Sequence, residues 1–213
     1  MNRIIFLFCL VIVAGCTSIA QEKLIQDANV EKRSVTTFNT IKVEDGIDLY
    51  LTQDNAEAVA VSAAKTEDRD KIKTTVENGV LRIYYDRNPV TMLSWRNRQL
   101  RAYVSVKTLK ELNASGGSDV FIQTGLKTND FKMHISGGSD FSGKIDADNL
   151  DVRASGGSDT RISGSAVNLK VSASGGSDFH GYDLDAENVF ISASGGSDAR
   201  ITATPALGIG ASG

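Results

Sequence analysis

The pentapeptide Ser-Gly-Gly-Ser-Asp returns five times between residues 115 and 198, its first serine at Ser115, Ser136, Ser155, Ser174 and Ser194. The separations are 21, 19, 19 and 20 residues. A polar motif repeated at so even an interval restricts the fold to architectures in which one unit stacks on the next. The residues leading into each motif are apolar on alternate positions: Phe131, Met133 and Ile135; Leu150, Val152 and Ala154; Leu169, Val171 and Ala173; Val189, Ile191 and Ala193. Polar residues fill the gaps, the period-two pattern of a strand with one buried face. Alternation resumes after the aspartate through Val120 and Ile122, Thr160 and Ile162, or Ala199 and Ile201. Each unit therefore reads as strand, glycine corner, strand and turn.

A second column runs through the same units. Asn149, Asn168 and Asn188 directly precede the first strand of a unit, with Ala147, Ala166 and Ala186 two places earlier. Asparagine tolerates the left-handed backbone of a sharp corner, and stacked asparagines can hydrogen-bond along a ladder. A chain of antiparallel hairpins is the rival arrangement, but identical residues at identical positions favour parallel stacking, which sets like beside like. The predicted fold is all-β: a right-handed parallel β-helix, or β-solenoid, over residues 107–213, preceded by less regular strands over 35–106. In it the pairs Gly116-Gly117, Gly137-Gly138, Gly156-Gly157, Gly175-Gly176 and Gly195-Gly196 are structural corners whose conformations exclude a Cβ, and the adjoining serines and aspartates bond the corner amides.

Upstream, VTTFNTIKVEDGIDLYLTQ alternates bulky and polar residues around a turn at Asp45-Gly46, and IKTTVENGVLRIYY carries a hairpin signal at Asn78-Gly79. Residues 66–71 are the one candidate for a helical turn. The stretch 87–101 breaks the alternation with Pro89, the only tryptophan, Trp95, and four arginines, and reads as a loop or insertion.

The chain opens with MNRIIFLFCLVIVAG, one positive charge followed by an apolar run too short to span a bilayer, as in a secretory signal. Val13-Ala14-Gly15-Cys16 resembles the lipobox of bacterial lipoproteins; an ordinary signal with an incidental cysteine is the alternative. On the lipobox reading residues 1–15 are a signal peptide, Cys16 carries palmitate and its companion lipids, and 16–34 form a polar tether. Cys9, the other of the two cysteines, leaves with the signal. No thiol then remains for a disulfide, a metal or a nucleophile. The leader takes one arginine and no acidic residue, so the net charge of −3 becomes −4. With no basic stripe interleaved with aromatics, nucleic acid is not an expected partner.

The repeated motif lacks the spacing that several familiar chemistries require. Calcium-binding nonapeptide repeats recur every nine residues or so around a different core. Phosphate loops need a lysine and a hydroxyl after the glycines, or a helix to open, and neither follows. His134 and His180, the only histidines, sit beside no nucleophile motif. Two carboxylates can hydrolyse glycosides, and a pectinase-like β-helix enzyme is the alternative function. Yet Asp119, Asp140, Asp159, Asp178 and Asp198 repeat in every unit, whereas a catalytic pair belongs to one or two coils. Coils about 4.8 Å apart would make these aspartates repel unless they are solvated, hydrogen-bonded or bridged by a cation, so they form a candidate weak cation or ligand ladder. No catalytic residue, cofactor or dedicated metal site is expected.

With Val43-Glu44-Asp45-Gly46-Ile47-Asp48-Leu49, Asn78-Gly79-Val80-Leu81-Arg82-Ile83 and Leu109 to Asp119 in view, the chain resembles the DUF2807 family of bacterial lipoproteins, the auto-transporter adhesin head GIN domain abundant in Bacteroidetes. The resemblance covers residues 37–213. It implies a β-helical fold and a role in adhesion, with no catalytic residues to carry over. The expected function is a lipid-anchored, non-catalytic binding module for glycan or protein partners at the outer membrane, its face undetermined. Leu207, Ile209 and Ala211 repeat the apolar triplet once more and Ala211-Ser212-Gly213 opens a sixth corner, so self-association through the C-terminal coil is also expected.

Overall fold

The computed structural model describes residues 27, 29–87 and 98–202, and the main chain of 206–212. The signal, Cys9, Cys16, most of the tether, Pro89 and Trp95 lie outside the described residues. Among those described, no helix is long and apolar enough to cross a membrane.

The repeats build a parallel stack. β10 (Leu126–Ser136), β11 (Phe141–Ser155), β12 (Asp159–Ser174) and β13 (Asp178–Ser194) pair side by side in parallel, so that Ser136, Ser155, Ser174 and Ser194 fall in one column. β14 (Asp198–Ile201) and β15 (Ala206–Ser212) continue on β13, also in parallel. The turn expected within each unit keeps the ladder: pairing continues from corner to corner through β11 to β13, but the inward-outward alternation breaks between Ile145 and Leu150, where Asp148 and Asn149 are exposed together. The stack is a β-solenoid. The spacing of 20 residues between the last two motifs has a local cause: β13 carries an extra residue where the register with β12 shifts between Arg161 and Ser163, and Tyr182 stands 57% exposed there.

The alternating apolar residues meet inside. Phe131, Phe141, Phe179, Leu49, Leu81 and Ile41 are all fully buried. Because the strands are in register, the interior is made of columns: Val120 beside Phe141, then Thr160, then Phe179. Thr160 is the odd member. Its hydroxyl is buried between two phenylalanines without a hydrogen-bond partner.

Chain order and stacking order differ at the N-terminal side. β2 (Thr40–Val43) and β3 (Asp48–Gln53) stack in parallel on β8 (Glu111–Ala114) and β9 (Val120–Ile122), while β6 (Val80–Tyr85) and β7 (Arg101–Val106) stack on the other side of the same pair. The coil of residues 40–53 is therefore sandwiched between two coils that follow it in sequence. The connecting segment covers that end with antiparallel strands, β4 (Ala58–Ser62) on β7 and β5 (Ile72–Glu77) on β6, with β1 (Glu31–Arg33) outermost on β4. Asn78 at φ 51° and Gly79 at φ 78° make the tight β5–β6 turn, and α1 (Thr66–Arg69) is the helical turn.

The outermost covering strands, β1 and β5, are short and carry charges, Glu31, Lys32 and Arg33 on one and Lys73 and Glu77 on the other, which discourages edge-to-edge pairing. Glu31 bridges Arg33 at 2.6 Å and Arg69 at 3.0 Å. Asp27 ties the edge to the stack, accepting hydrogen bonds from Ser62 at 2.6 Å and Arg101 at 3.2 Å; the Ser62 bond and the Arg101 charge hold its carboxyl below the usual range.

Candidate functional site

The corners come first, because they position every outward side chain. Gly116 and Gly117 take φ of 70° and 77°, a left-handed pair that turns the chain sharply between β8 and β9. The first glycine of each pair also lies against the preceding coil. A Cβ on Gly156 would come within 3.2 Å of the Gly137 nitrogen, whereas one on Gly157 would meet nothing within 4 Å.

The second serine of each motif points inward. Ser118, Ser139, Ser158 and Ser177 are fully buried and bond main-chain groups. Ser118 Oγ accepts from the amides of Gly46 and Ile47 at 3.2 and 3.1 Å, and Ser139 Oγ accepts from the Ser118 amide at 2.9 Å. Ser177 Oγ accepts from the Ser174 amide at 3.1 Å and donates to the Ala154 carbonyl at 3.0 Å. These hydroxyls supply the partners that main-chain groups in a dry corner require.

The aspartates are held by main-chain amides and by neighbouring arginines. Asp119 Oδ1 accepts the Asp140 amide, and Asp140 Oδ1 the Asp159 amide, both at 3.1 Å. Asp159 and Asp198 are bridged by Arg161 at 3.1 Å and Arg200 at 2.8 Å, each two residues on. Main-chain dipoles and arginines thus offset part of the repulsion. What remains falls at the covered end, where Asp48 stands in line with Asp119. Burial, then the charge of Asp119, raises the Asp48 carboxyl above its ordinary range; burial and the charge of Asp140 raise Asp119. Among the described residues, no group of three or more His, Cys, Asp or Glu side chains is placed to hold a metal ion.

The turn expected at Asp45-Gly46 is a further corner of the same column, ending at Asp48 as the others end at their aspartates. Val43 pairs with Ala114 and Leu49 with Val120, which aligns Glu44-Asp45-Gly46-Ile47-Asp48 with Ser115-Gly116-Gly117-Ser118-Asp119. Asp45 and Gly46 take φ of 69° and 74°. A side chain is tolerated at Asp45 because it lies beyond the last glycine corner, and its carboxylate bonds Arg87 at 2.9 Å and the Tyr85 amide at 3.3 Å.

The asparagines form the expected ladder without the expected backbone. Non-glycine residues with positive φ among those described are Asp45, Asn78 and Gln99, so Asn149, Asn168 and Asn188 are not left-handed. Their side chains carry the order instead. Asn188 donates to Asn168 at 3.1 Å, Asn168 to Asn149 at 2.8 Å, and Asn149 to Asp130 at 2.7 Å.

This ladder forms one wall of an open groove of about 970 Å³ that crosses four coils. Two residues further along each strand stands a second outward column, Lys132, Asp151, Lys170 and Phe190 in register. Phe190 is 51% exposed. A smaller groove of about 670 Å³ on the other side of the ladder holds Lys127, Asp146, Asp148, Asp185 and Glu187. On a third face Tyr103, Tyr50 and Phe121 stack at 5.3 Å between ring centres. His134 is exposed on β10 and His180 stacks on Tyr182 from β13, so the two histidines do not share a site.

The family model for DUF2807, described as "Putative auto-transporter adhesin, head GIN domain", matches residues 37–213, from β2 onward. The chain belongs to this family. Solved structures share the GIN domain fold: a protein titled a putative adhesin from Bacteroides fragilis, with a TM-score of 0.71 and 19% identity over 80% of this chain and 78% of its own. A putative adhesin from Parabacteroides merdae has a TM-score of 0.63 and 15% identity, covering 81% and 80%. A protein from Parabacteroides distasonis titled a putative lipid binding protein has a TM-score of 0.57 and 21% identity, covering 78% and 79%. At these identities the likeness is one of fold. No curated protein matches the chain. The GIN domain is thus adhesin-like by family.

Proposed function

We propose that this chain is a lipid-anchored, non-catalytic binding module of the cell envelope that holds a rigid β-surface toward glycan or protein partners. The observation that carries the reading is the long groove over β10 to β13, walled by side chains repeated coil after coil on a frame whose main-chain groups are already paired. A rigid wall loses little entropy when a partner docks. The repeated carboxylates have structural tasks, bonding the next amide or an arginine, which sets them apart from a catalytic pair. The anchor rests on Val13-Ala14-Gly15-Cys16 and the polar segment after it.

The test uses cells that express the full chain. Palmitate label is expected in the protein, lost in Cys16→Ala and kept in Cys9→Ala, with the labelled protein in the outer-membrane fraction. Such cells are expected to adhere to immobilised glycans or surface proteins more than cells lacking the chain. Release of reducing sugar from polysaccharide by the purified protein would refute the non-catalytic reading, and the acidic groove around Asp148 and Asp185 is where to look for its source.

A further inference from the structure

We propose that the groove beside the asparagine ladder binds a neutral glycan chain lying along the solenoid axis, across the strands. This rests on the binding-module reading and gives it a site and a ligand class. Main-chain recognition is closed in the groove, because β11 and β12 are hydrogen-bonded on both sides and offer no edge for strand addition. A ligand must therefore be read by side chains. The charges there, Asp130 and Asp151 against Lys132 and Lys170, balance, which selects against polyanions and acidic lipid surfaces.

The ladder supplies the period. A carboxamide has two N–H donors, and each asparagine spends one on the residue in the neighbouring coil. One exposed donor per coil is left, repeated at ~4.8 Å, close to the length of a pyranosyl residue along a glycan. Opposite stands a carboxylate: Asp151 Oδ1 is buried, ion-paired with Arg153 Nε at 3.6 Å, while the side chain as a whole is 26% exposed, which leaves its remaining part to accept from a ligand. Sugar hydroxyls both donate and accept, so one chain of them satisfies the amide row and Asp151 together. At the end of the second column Phe190 pairs in register with Gly208, which has no side chain to cover the ring, leaving a face for the C–H side of a sugar.

The experiment titrates the exported full-length protein, by calorimetry, with neutral tetrasaccharides of the gluco, manno, galacto and N-acetylglucosamine series. At least one series is expected to bind, with affinity unchanged between low and high salt. Phe190→Ala and Asp151→Asn are each expected to weaken it about tenfold, and Phe121→Ala, on another face, to leave it unchanged. Matched melting curves certify the variants as folded. Binding confined to anionic polysaccharide or peptide, or binding indifferent to Phe190 and Asp151, overturns the proposal. If no tetrasaccharide binds while expressing cells still adhere, the groove assignment falls and the binding-module reading stands; loss of both removes the two together.

Discussion

The two glycines of a corner carry different burdens, and replacing each with alanine separates them. Gly156 and Gly157 both have left-handed φ, 68° and 76°, so alanine at either position bears the ~1–2 kcal/mol cost of that region for an L-residue. Gly157 has open space where the methyl would go. At Gly156 the methyl would sit 3.2 Å from the Gly137 nitrogen, a main-chain atom fixed by the stack. Relief requires the two coils to part, stretching the 3.2 Å bond from the Gly138 amide to the Gly156 carbonyl. Overpacking of this kind adds about 1–3 kcal/mol. Gly157→Ala is thus expected to cost about 1–2 kcal/mol and Gly156→Ala about 2–5 kcal/mol. Gly157→Asn should fall below both, since asparagine visits the left-handed region readily. Urea unfolding followed by circular dichroism gives the ordering from the midpoints. Equal losses at the two glycines would show that conformation alone governs the corner and that stacking contact does not.

Thr160→Val should raise stability by about 1–3 kcal/mol, since it removes a buried hydroxyl with no partner at nearly constant volume; a lowered urea midpoint would mean that the hydroxyl is satisfied. Ser177→Ala should lower stability by about 1–3 kcal/mol, because the Ser174 amide and Ala154 carbonyl lose their partner, and amide exchange should quicken at Ser174 first. Asp48 and Asp119 have raised folded-state values, so the folded protein binds these protons more tightly than the unfolded chain. Their contribution is greatest below the ordinary carboxylate range and declines as pH rises through the raised values. Asp48→Asn should therefore stabilise at neutral pH and flatten that decline in melts from pH 4 to 8. A steeper decline in the variant would reverse the assignment. Comparison with the unsubstituted protein cancels Asp27, whose lowered value gives the opposite slope.

The stacking of the coils was legible because it repeats. Five copies of one motif, flanked by alternate apolar residues, dictate parallel strands in register, and Asn78-Gly79 dictates its hairpin through local geometry alone. The position of residues 40–53 between later coils left no such mark, because the pairing of Leu49 with both Ala102 and Val120 joins segments far apart in sequence. The corner at Asp45-Gly46 was legible as a turn but not as a member of the column, because only Gly46 and Asp48 survive from the motif and Asp45 stands where Gly116 does. The asparagine column is a ladder without left-handed backbone, two properties the sequence cannot separate, since side-chain bonding and backbone conformation favour the same amino acid. The groove required the third dimension. Lys132, Asp151, Lys170 and Phe190 share no chemistry in sequence and become neighbours only through register.

The displaced coil also dictates when the molecule can be built. A chain is synthesised from its N-terminus, so residues 40–53 arrive before either of the strand pairs that will flank them. The Ile47 amide waits for Ser118, 71 residues later. Closing so long a loop sets an early entropic barrier, and the apolar side of β3 stays exposed meanwhile. Every later coil needs only the one made about 20 residues before it, so assembly past that point is a zipper that runs in one direction. A nascent chain halted before Val120 should remain open to protease, and one released just beyond it should begin to fold.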